Sequence, residues 1–349
     1  MKTEVPGVLV DEKGICSVCR DYDKNWGDWE SKKEDKLKEL EGILNRAKAR
    51  NQMYDVLVPI SGGKDSIYVL YLCKKRFNLK CLAVTWDNGF LTDHARVNIK
   101  NACDVLGVDH LYYGLSKPLL MKLYRHFFLN TGFLCPVCMK GIGTTIFRTQ
   151  IAFNIPLAIT GTSRRSEEYV NPAYFLDGSY SFLENVLENT PLLKEAEVLM
   201  QPMGLFKSPP AIKLPDYMDW DYDLIYKTIT SKLGWTAHSP DAEHSDCKVD
   251  NIIHYIRYRK FPALIPEMLR FSKLVTCGQL DRQEAEKRLA EKRESLKEPS
   301  NMDFFLNALD ISRDDFEGVV TDPMKHMKYR KERSRVVRRL KTLKKKFYP

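Results

Sequence analysis

The sequence predicts an α/β protein built on a doubly wound parallel sheet. Three observations carry that expectation. From residue 54 onward, short apolar, β-rich runs alternate with amphipathic helical stretches. The strand segments are apolar throughout, as in sheets covered on both faces. The first strand, Tyr54–Ile60, runs into Ser61-Gly62-Gly63-Lys64-Asp65-Ser66, a glycine turn that opens a helix over residues 67–75. In such sheets ligands sit at the carboxyl ends of the strands, and helix starts there hold anions.

Taken in order, residues 12–50 hold Cys16-Ser-Val-Cys19 and then a charged helix from about Trp29 to Ala49, with Leu37, Leu40, Ile43 and Leu44 at helical spacing. After the first strand and its helix comes a second strand, Lys80–Trp86, ending in Asp87-Asn88-Gly89. A helix over 93–106, strand His110–Tyr113, helices over 118–130 and 140–153, and strand Ile155–Thr160 follow. Residues 163–245 are irregular and rich in Pro, Tyr, Asp and Trp, as a substrate lid or pocket would be. Beyond 246 the chain is helical. The expected division is 1–50, a Cys-x-x-Cys segment and helix; 51–245, the nucleotide domain; and 246–349, a helical region with a basic tail.

Apolar residues make up 44% and charged residues 29% of the 349, the balance of an ordinary globular protein without a membrane span. The first eleven residues lack the basic-then-apolar pattern of an export signal, so the expected setting is cytoplasmic and the nine cysteines are expected as thiols, metal ligands or catalytic groups rather than disulfides. The net charge of +9 is concentrated: residues 325–346 carry twelve Lys/Arg against Glu332 alone. Such a tail suits either phosphate backbone or a solvated helical face.

The 61–66 loop is built for phosphate. Gly62 and Gly63 let the backbone approach an anion, the helix start offers N–H groups, Lys64 adds charge, Ser61 and Ser66 add hydroxyls, and Asp65 can help hold Mg²⁺. The spacing is not that of a Walker A loop. The other strand ends, Trp86-Asp87-Asn88 and Thr160-Gly161-Thr162, complete the expected nucleotide site.

Two Cys-x-x-Cys pairs, Cys16/Cys19 and Cys135/Cys138, each allow two thiolates to face one metal. Cys247 lies in the polar stretch His244-Ser-Asp-Cys247. Three assignments stand open: Cys135, Cys138 and Cys247 hold a [4Fe-4S] cluster; Cys16, Cys19, Cys135 and Cys138 close a Zn²⁺ site; or all five are unligated. Cys73, Cys81, Cys103 and Cys277 sit in apolar or helical contexts and read as packing residues. His94, His110, His126 and His254 lack ligand spacing. His238 and His244 lie near Cys247 and are candidates to join its site. Tyr217, Trp220, Tyr222 and Tyr226 offer packing, or stacking on a substrate.

Ser-Gly-Gly-Lys-Asp-Ser resembles the PP-loop of ATP pyrophosphatases, which cleave ATP between its α- and β-phosphates. Nearly the whole chain is similar to the N-acetyl sugar amidotransferase family of surface-polysaccharide and lipopolysaccharide biosynthesis. The likeness runs through Gly14-Ile-Cys-Ser-Val-Cys19, Val58-Pro-Ile-Ser-Gly-Gly-Lys-Asp-Ser66, Gly141-Ile142, Ile155-Pro-Leu-Ala-Ile159, Leu280-Asp-Arg-Gln-Glu-Ala285 and Leu309-Asp-Ile-Ser-Arg-Asp-Asp-Phe316. The chain departs from that family at Cys135-Pro-Val-Cys138, where the family motif is Trp-Pro-Asn-His-like, and it lacks the cysteine pair usual upstream of Gly14. A shorter resemblance, to the tRNA 2-thiocytidine and 2-thiouridine synthetases, rests on a PP-loop followed by Cys-x-x-Cys and a distant third Cys. It extends to Cys135, Cys138 and Cys247 alone.

Both resemblances imply a common first step in which a carbonyl oxygen attacks the α-phosphate of ATP with Mg²⁺ and pyrophosphate leaves, with Lys64, Asp65 and Cys247 as catalytic residues. They part at the second nucleophile: sulfide for a sulfurtransferase, ammonia for an amidotransferase. The expected partners are a tRNA or small-molecule acceptor, a protein donating sulfur or ammonia, and a second copy in a homodimer. A regulatory protein that only binds nucleotide is a third reading, which no residue favours.

Overall fold

The computed structural model describes residues 8–165, 179–200, 209–237, 246–262 and 266–329. Helices α1 (Ser17–Trp26) and α2 (Trp29–Ala49) precede the sheet. Then come β1 (Val56–Pro59), α3 (Lys64–Tyr71), β2 (Cys81–Trp86), α4 (Asp93–Leu106), β3 (Asp109–Tyr113), α5 (Lys117–Thr131), α6 (Cys135–Ala152) and β4 (Ala158–Thr160). Helices α7 (Tyr180–Leu187), α8 (Leu192–Glu195) and α9 (Glu197–Met200) lead to β5 (Ala211–Lys213) and α10 (Tyr222–Leu233). The carboxyl-terminal helices are α11 (Asp250–Lys260), α12 (Pro266–Thr276), α13 (Arg282–Ser295), α14 (Met302–Leu309) and α15 (Arg313–Val320).

All five strands are parallel, in the order β3-β2-β1-β4-β5. The chain therefore winds outward from β1 in one direction and resumes at β4 in the other. The switch point between β1 and β4 is where loops at the carboxyl ends splay apart and leave a crevice. Sequence analysis placed four of the strands. It missed β5, which lies in the stretch read as irregular, because three residues at a sheet edge carry too little periodicity to register.

Strand alternation explains the burial on both faces. Val56, Val58, Cys81 and Ala83 point into one core with α2, α3, α4 and α10, while Leu57, Leu82, Val84 and Ala158 point into the other, toward Ile146 of α6. A second core extends from α5, α6 and α7 into the carboxyl-terminal helices, around Phe128, whose ring stands 5.4 Å from Phe305 and 5.7 Å from Phe316. The carboxyl-terminal helices thus share an apolar interior with α5, α6 and α7.

Two boundaries differ from expectation, and both matter for chemistry. Helix α3 begins at Lys64, inside the loop motif, and passes into a π-helical turn over Leu72–Arg76. Helix α6 begins at Cys135 rather than near Lys140, because Pro136 is favoured in a first helical turn, where its missing N–H costs nothing. Cys135 and Cys138 therefore lie within that turn and not ahead of it. Residues 330–349, most of the basic tail, lie outside the described residues, as do His238 and His244. Among the described residues, no helix is long and apolar enough to cross a membrane.

The turn after β1 depends on one backbone conformation. Gly62 has φ +85, and a Cβ there would lie 2.5 Å from the carbonyl oxygen of Ala95 in α4. Both the dihedral and the contact exclude a side chain, so Gly62→Ala should cost about 2 kcal/mol or more of folding stability. Urea unfolding of the variant checks this; a midpoint equal to wild type would show that the loop does not need this geometry.

Candidate nucleotide and cysteine site

The 61–66 loop ties itself together through its serines. Ser66 Oγ donates to the Gly63 carbonyl at 3.0 Å and accepts from the Ser61 N–H at 3.2 Å. Gly63 is the N-cap of α3 and has no side chain to cap it, so the first-turn N–H groups receive no side-chain cap. Uncapped N–H groups beside a glycine turn fit a phosphate. The Gly62 carbonyl points away and is held by the Trp235 indole N–H at 2.9 Å and by the Asn98 amide at 3.4 Å. The Gly62 carbonyl is thus taken up by α4 and the chain after α10, while the Gly63 carbonyl is taken up within α3.

Lys64, buried, and Asp65, half-buried, form an ion pair. Lys64 Nζ donates to Asp65 Oδ2 at 2.7 Å and lies 4.9 Å above the Tyr222 ring, while Trp220 Nε1 donates to Asp65 Oδ1 at 2.8 Å. Two of the aromatic residues singled out from the sequence thus brace the loop from behind. The other two pack elsewhere, Tyr217 under Lys36 and Tyr226 against Trp235. Gly161, from the end of β4, packs against the Asp65 backbone so closely that a Cβ would lie 2.9 Å from its carbonyl oxygen. The structure therefore brings Ser61–Ser66 and Thr160–Thr162 together across the switch point.

The Trp86–Asn88 segment faces two ways. The Trp86 ring is buried against Gly141 of α6, where any side chain would collide with it, which accounts for the glycine in Gly141-Ile142. Asp87 turns outward to Arg96 at 3.0 Å. Asn88 turns toward the cysteines, its amide 3.9 Å from Cys247 Sγ and also within reach of the Cys138 thiol.

Cys135, Cys138 and Cys247 border the same core, around the buried Tyr124. Tyr124 donates to the Asn88 carbonyl at 3.0 Å. Cys247 is placed by a β-bridge to Leu91, and its neighbour Asp246 sets its carboxylate beside Gly63 of the loop, so a single two-residue step joins the thiols to the phosphate turn. Burial raises all three thiols, Cys138 to about 12 and Cys247 well above its ordinary value; at Cys135 the Arg257 guanidinium opposes that rise. Empty, the three are neutral thiols, and any metal must displace their protons.

Among the described residues, no three His, Cys, Asp or Glu groups close to the distances of a single metal ion. A soft donor set of three cysteines around a shared space suits an iron-sulfur cluster, whose cysteine ligands stand further apart than those of one ion. The four-cysteine Zn²⁺ site is not assembled. Cys16 and Cys19 pack with Val8, Phe133 and Phe261, and Cys19 meets Thr276, whereas Cys135 and Cys138 border a different core, the one that Cys247 also borders. The four ordinary histidines are satisfied locally: His94 at the Thr236 carbonyl, His110 at Thr85, His126 at the Val186 carbonyl, and His254 between Asp250 and Glu267.

Sequence reasoning missed Trp220 as a partner of Asp65, Trp235 and Asn98 as partners of Gly62, and Tyr124, Asp246 and Arg257 around the cysteines. Only Asp246 carried a signal, its place beside Cys247; the others come from segments far away in sequence.

The sheet order, with the Ser-Gly-Gly-Lys-Asp-Ser turn at its switch point, defines a doubly wound parallel α/β fold, as the sequence predicts. Residues 235–344 match the family described as LPS biosynthesis protein WbpG-like, C-terminal domain. An uncharacterized protein of Methanocaldococcus jannaschii, MJ1599, is 35% identical over 153 residues, which is 43% of this chain and 51% of that protein. The chain thus spans about half the length of that curated relative. Among solved structures, the U34-tRNA thiolase NcsA from Methanococcus maripaludis with its [4Fe-4S] cluster is 17% identical, with 74% of this chain and 80% of that one covered and a TM-score of 0.35. The NMN synthetase of Francisella tularensis is 12% identical, with 75% and 93% covered and a TM-score of 0.39. At such scores, nothing about this chain's chemistry rests on either.

If Trp220 orients Asp65, then Trp220→Phe, which keeps the ring against Tyr68 but removes the N–H, should weaken Mg·ATP binding about 3- to 10-fold, the effect of roughly 0.7–1.4 kcal/mol for one hydrogen bond. Calorimetric titration measures it. Unchanged affinity would mean that Asp65 does not act on the nucleotide.

Proposed function

We propose that this chain is an ATP-dependent sulfur-inserting enzyme. The acceptor's carbonyl oxygen attacks the α-phosphorus of ATP, the bond to the β-phosphate bridge breaks, and pyrophosphate leaves. A sulfur nucleophile of the hydrosulfide class then attacks the activated carbon and loses its proton, and AMP departs with the former carbonyl oxygen. The observation that carries this reading is the gathering of Cys135, Cys138 and Cys247 around Tyr124 and Asn88, one residue from the Asp246–Gly63 contact with the phosphate turn.

Each residue has a part. The uncapped amides at the start of α3, with Ser61, receive the phosphates and stabilise charge that develops there. Asp65, oriented by Trp220 and neutralised in part by Lys64, is positioned to hold Mg²⁺, which would supply Lewis-acid stabilisation to the leaving pyrophosphate. Thr160–Thr162 and the backbone at Trp86 flank the nucleoside. Cys135, Cys138 and Cys247 would hold a [4Fe-4S] cluster, which supplies a site for sulfur when bound. The buried Tyr124 hydroxyl and the Asn88 amide fix the thiols, and Arg257 offsets negative charge at Cys135.

A second reading has its own support. The WbpG-like match over 235–344 favours an amidotransferase of surface-polysaccharide synthesis, in which ammonia is the nucleophile and an acetamido sugar the acceptor. The acceptor is a tRNA in the first reading or a small molecule in either, with a sulfur- or ammonia-donating partner; cytoplasmic location and a homodimer belong to the same proposal.

Two measurements test it. Protein purified without oxygen should contain iron and acid-labile sulfide, and Cys138→Ser should lose both while keeping its far-UV circular dichroism. Iron-free wild type after anaerobic reconstitution would overturn the sulfur reading and leave amidination. Independently, Asp65→Asn should lower pyrophosphate release by about a hundredfold or more, the scale for removing one preorganised transition-state contact. Release near the wild-type rate would sink the adenylation step common to both.

A further inference from the structure

The amino-terminal cysteine pair is not absorbed by the nucleotide and cluster chemistry. Cys16 is the N-cap of α1 and Cys19 lies in its first turn, with the two sulfurs 3.5 Å apart. They pack with Val8, Phe133 and Phe261, and the Thr276 hydroxyl lies 3.9 Å from Cys19. A thiol hydrogen-bonded to a thiol, with no further ligand gathered around them among the described residues, is poor for metal and suited to sulfur–sulfur bond formation.

We infer that Cys16 and Cys19 form a reversible dithiol–disulfide couple that exchanges with low-molecular-weight disulfides. Their exposures divide the labour. Cys19 is half-buried and open to an external disulfide, whereas Cys16 is 3% exposed and reaches only its neighbour. The Cys19 thiolate attacks one sulfur of the external disulfide, whose own S–S bond breaks and releases one thiolate. Cys16 as thiolate then attacks Cys19 Sγ, and the second external thiolate leaves. The protein gives up two protons and two electrons, and the external disulfide becomes two thiols.

Geometry favours the resolving step, since Cys16 Sγ already lies 3.5 Å from Cys19 Sγ. Burial raises the Cys16 thiol, and hydrogen bonds that include the Cys19 N–H bring it below the ordinary value. The start of α1 adds in the same direction.

The test uses the full chain in glutathione buffers of increasing oxidised fraction, quenched by alkylation and digested with trypsin. Residues 14–20 form one tryptic peptide that holds both cysteines. It should pass from two alkyl groups to none, with loss of two hydrogens, and recover both after dithiothreitol. Cys16→Ser places a favourable N-cap residue at the same position, so the fold should persist. In that variant resolution is impossible, and the glutathione adduct should accumulate on Cys19. The inference fails if the peptide keeps two alkylatable thiols across the series while other half-buried cysteines form adducts. It fails equally if wild type carries stoichiometric zinc that Cys19→Ser removes.

Discussion

The left-handed conformation at Gly62 is the constraint on which the site depends. It lets β1 end and α3 begin within four residues while the backbone touches Ala95 of α4. Its carbonyl is thereby directed to Trp235 and Asn98, away from the side where the α3 amides emerge. An anion site built from backbone needs this separation of dipoles, since an approaching carbonyl oxygen would repel the phosphate that the N–H groups attract. The serines that cross-link the loop hold the arrangement before any ligand arrives, so little is spent on ordering it.

From that turn, two short mechanical links lead outward. One is Asp65, fixed on opposite sides by Lys64 and Trp220, with Gly161 of β4 pressed against its backbone. The other is Asp246 beside Gly63, with Cys247 next in the chain. The second link places a soft, sulfur-rich region next to the proposed phosphate turn. The thiols sit in an aromatic and aliphatic interior shared by α5, α6, α11, α14 and α15, where burial keeps them protonated until a metal competes for them. The carboxyl-terminal helices that match the WbpG-like domain therefore help wall the cysteine site as well as extend the fold. Cys16 and Cys19 belong to a different environment, at the contact of α1 with α12, and their chemistry is separable from that of the other three.

Local sequence determined much of the fold and part of the site. The apolar runs at 54–60 and 80–86 state strands buried on both faces, and Ser61-Gly62-Gly63-Lys64-Asp65-Ser66 states a tight strand-to-helix turn, because steric and hydrogen-bonding demands there are met by neighbours in the chain. Even so, Pro136 moved the start of α6 forward by five residues relative to the expectation, and β5 was too short to show a period. Tertiary structure alone decided which cysteines meet. A Cys-x-x-Cys pair reads the same whether it lies at the start of α1 or of α6, and the 109 residues between Cys138 and Cys247 say nothing of their approach. That approach follows from the core that α5, α6 and α11 share around Tyr124, and the Trp220–Asp65 and Trp235–Gly62 bonds follow from the seating of α10 against α3. Such contacts join segments more than a hundred residues apart, and they form only because burying both faces of the sheet leaves the chain no other place to put them.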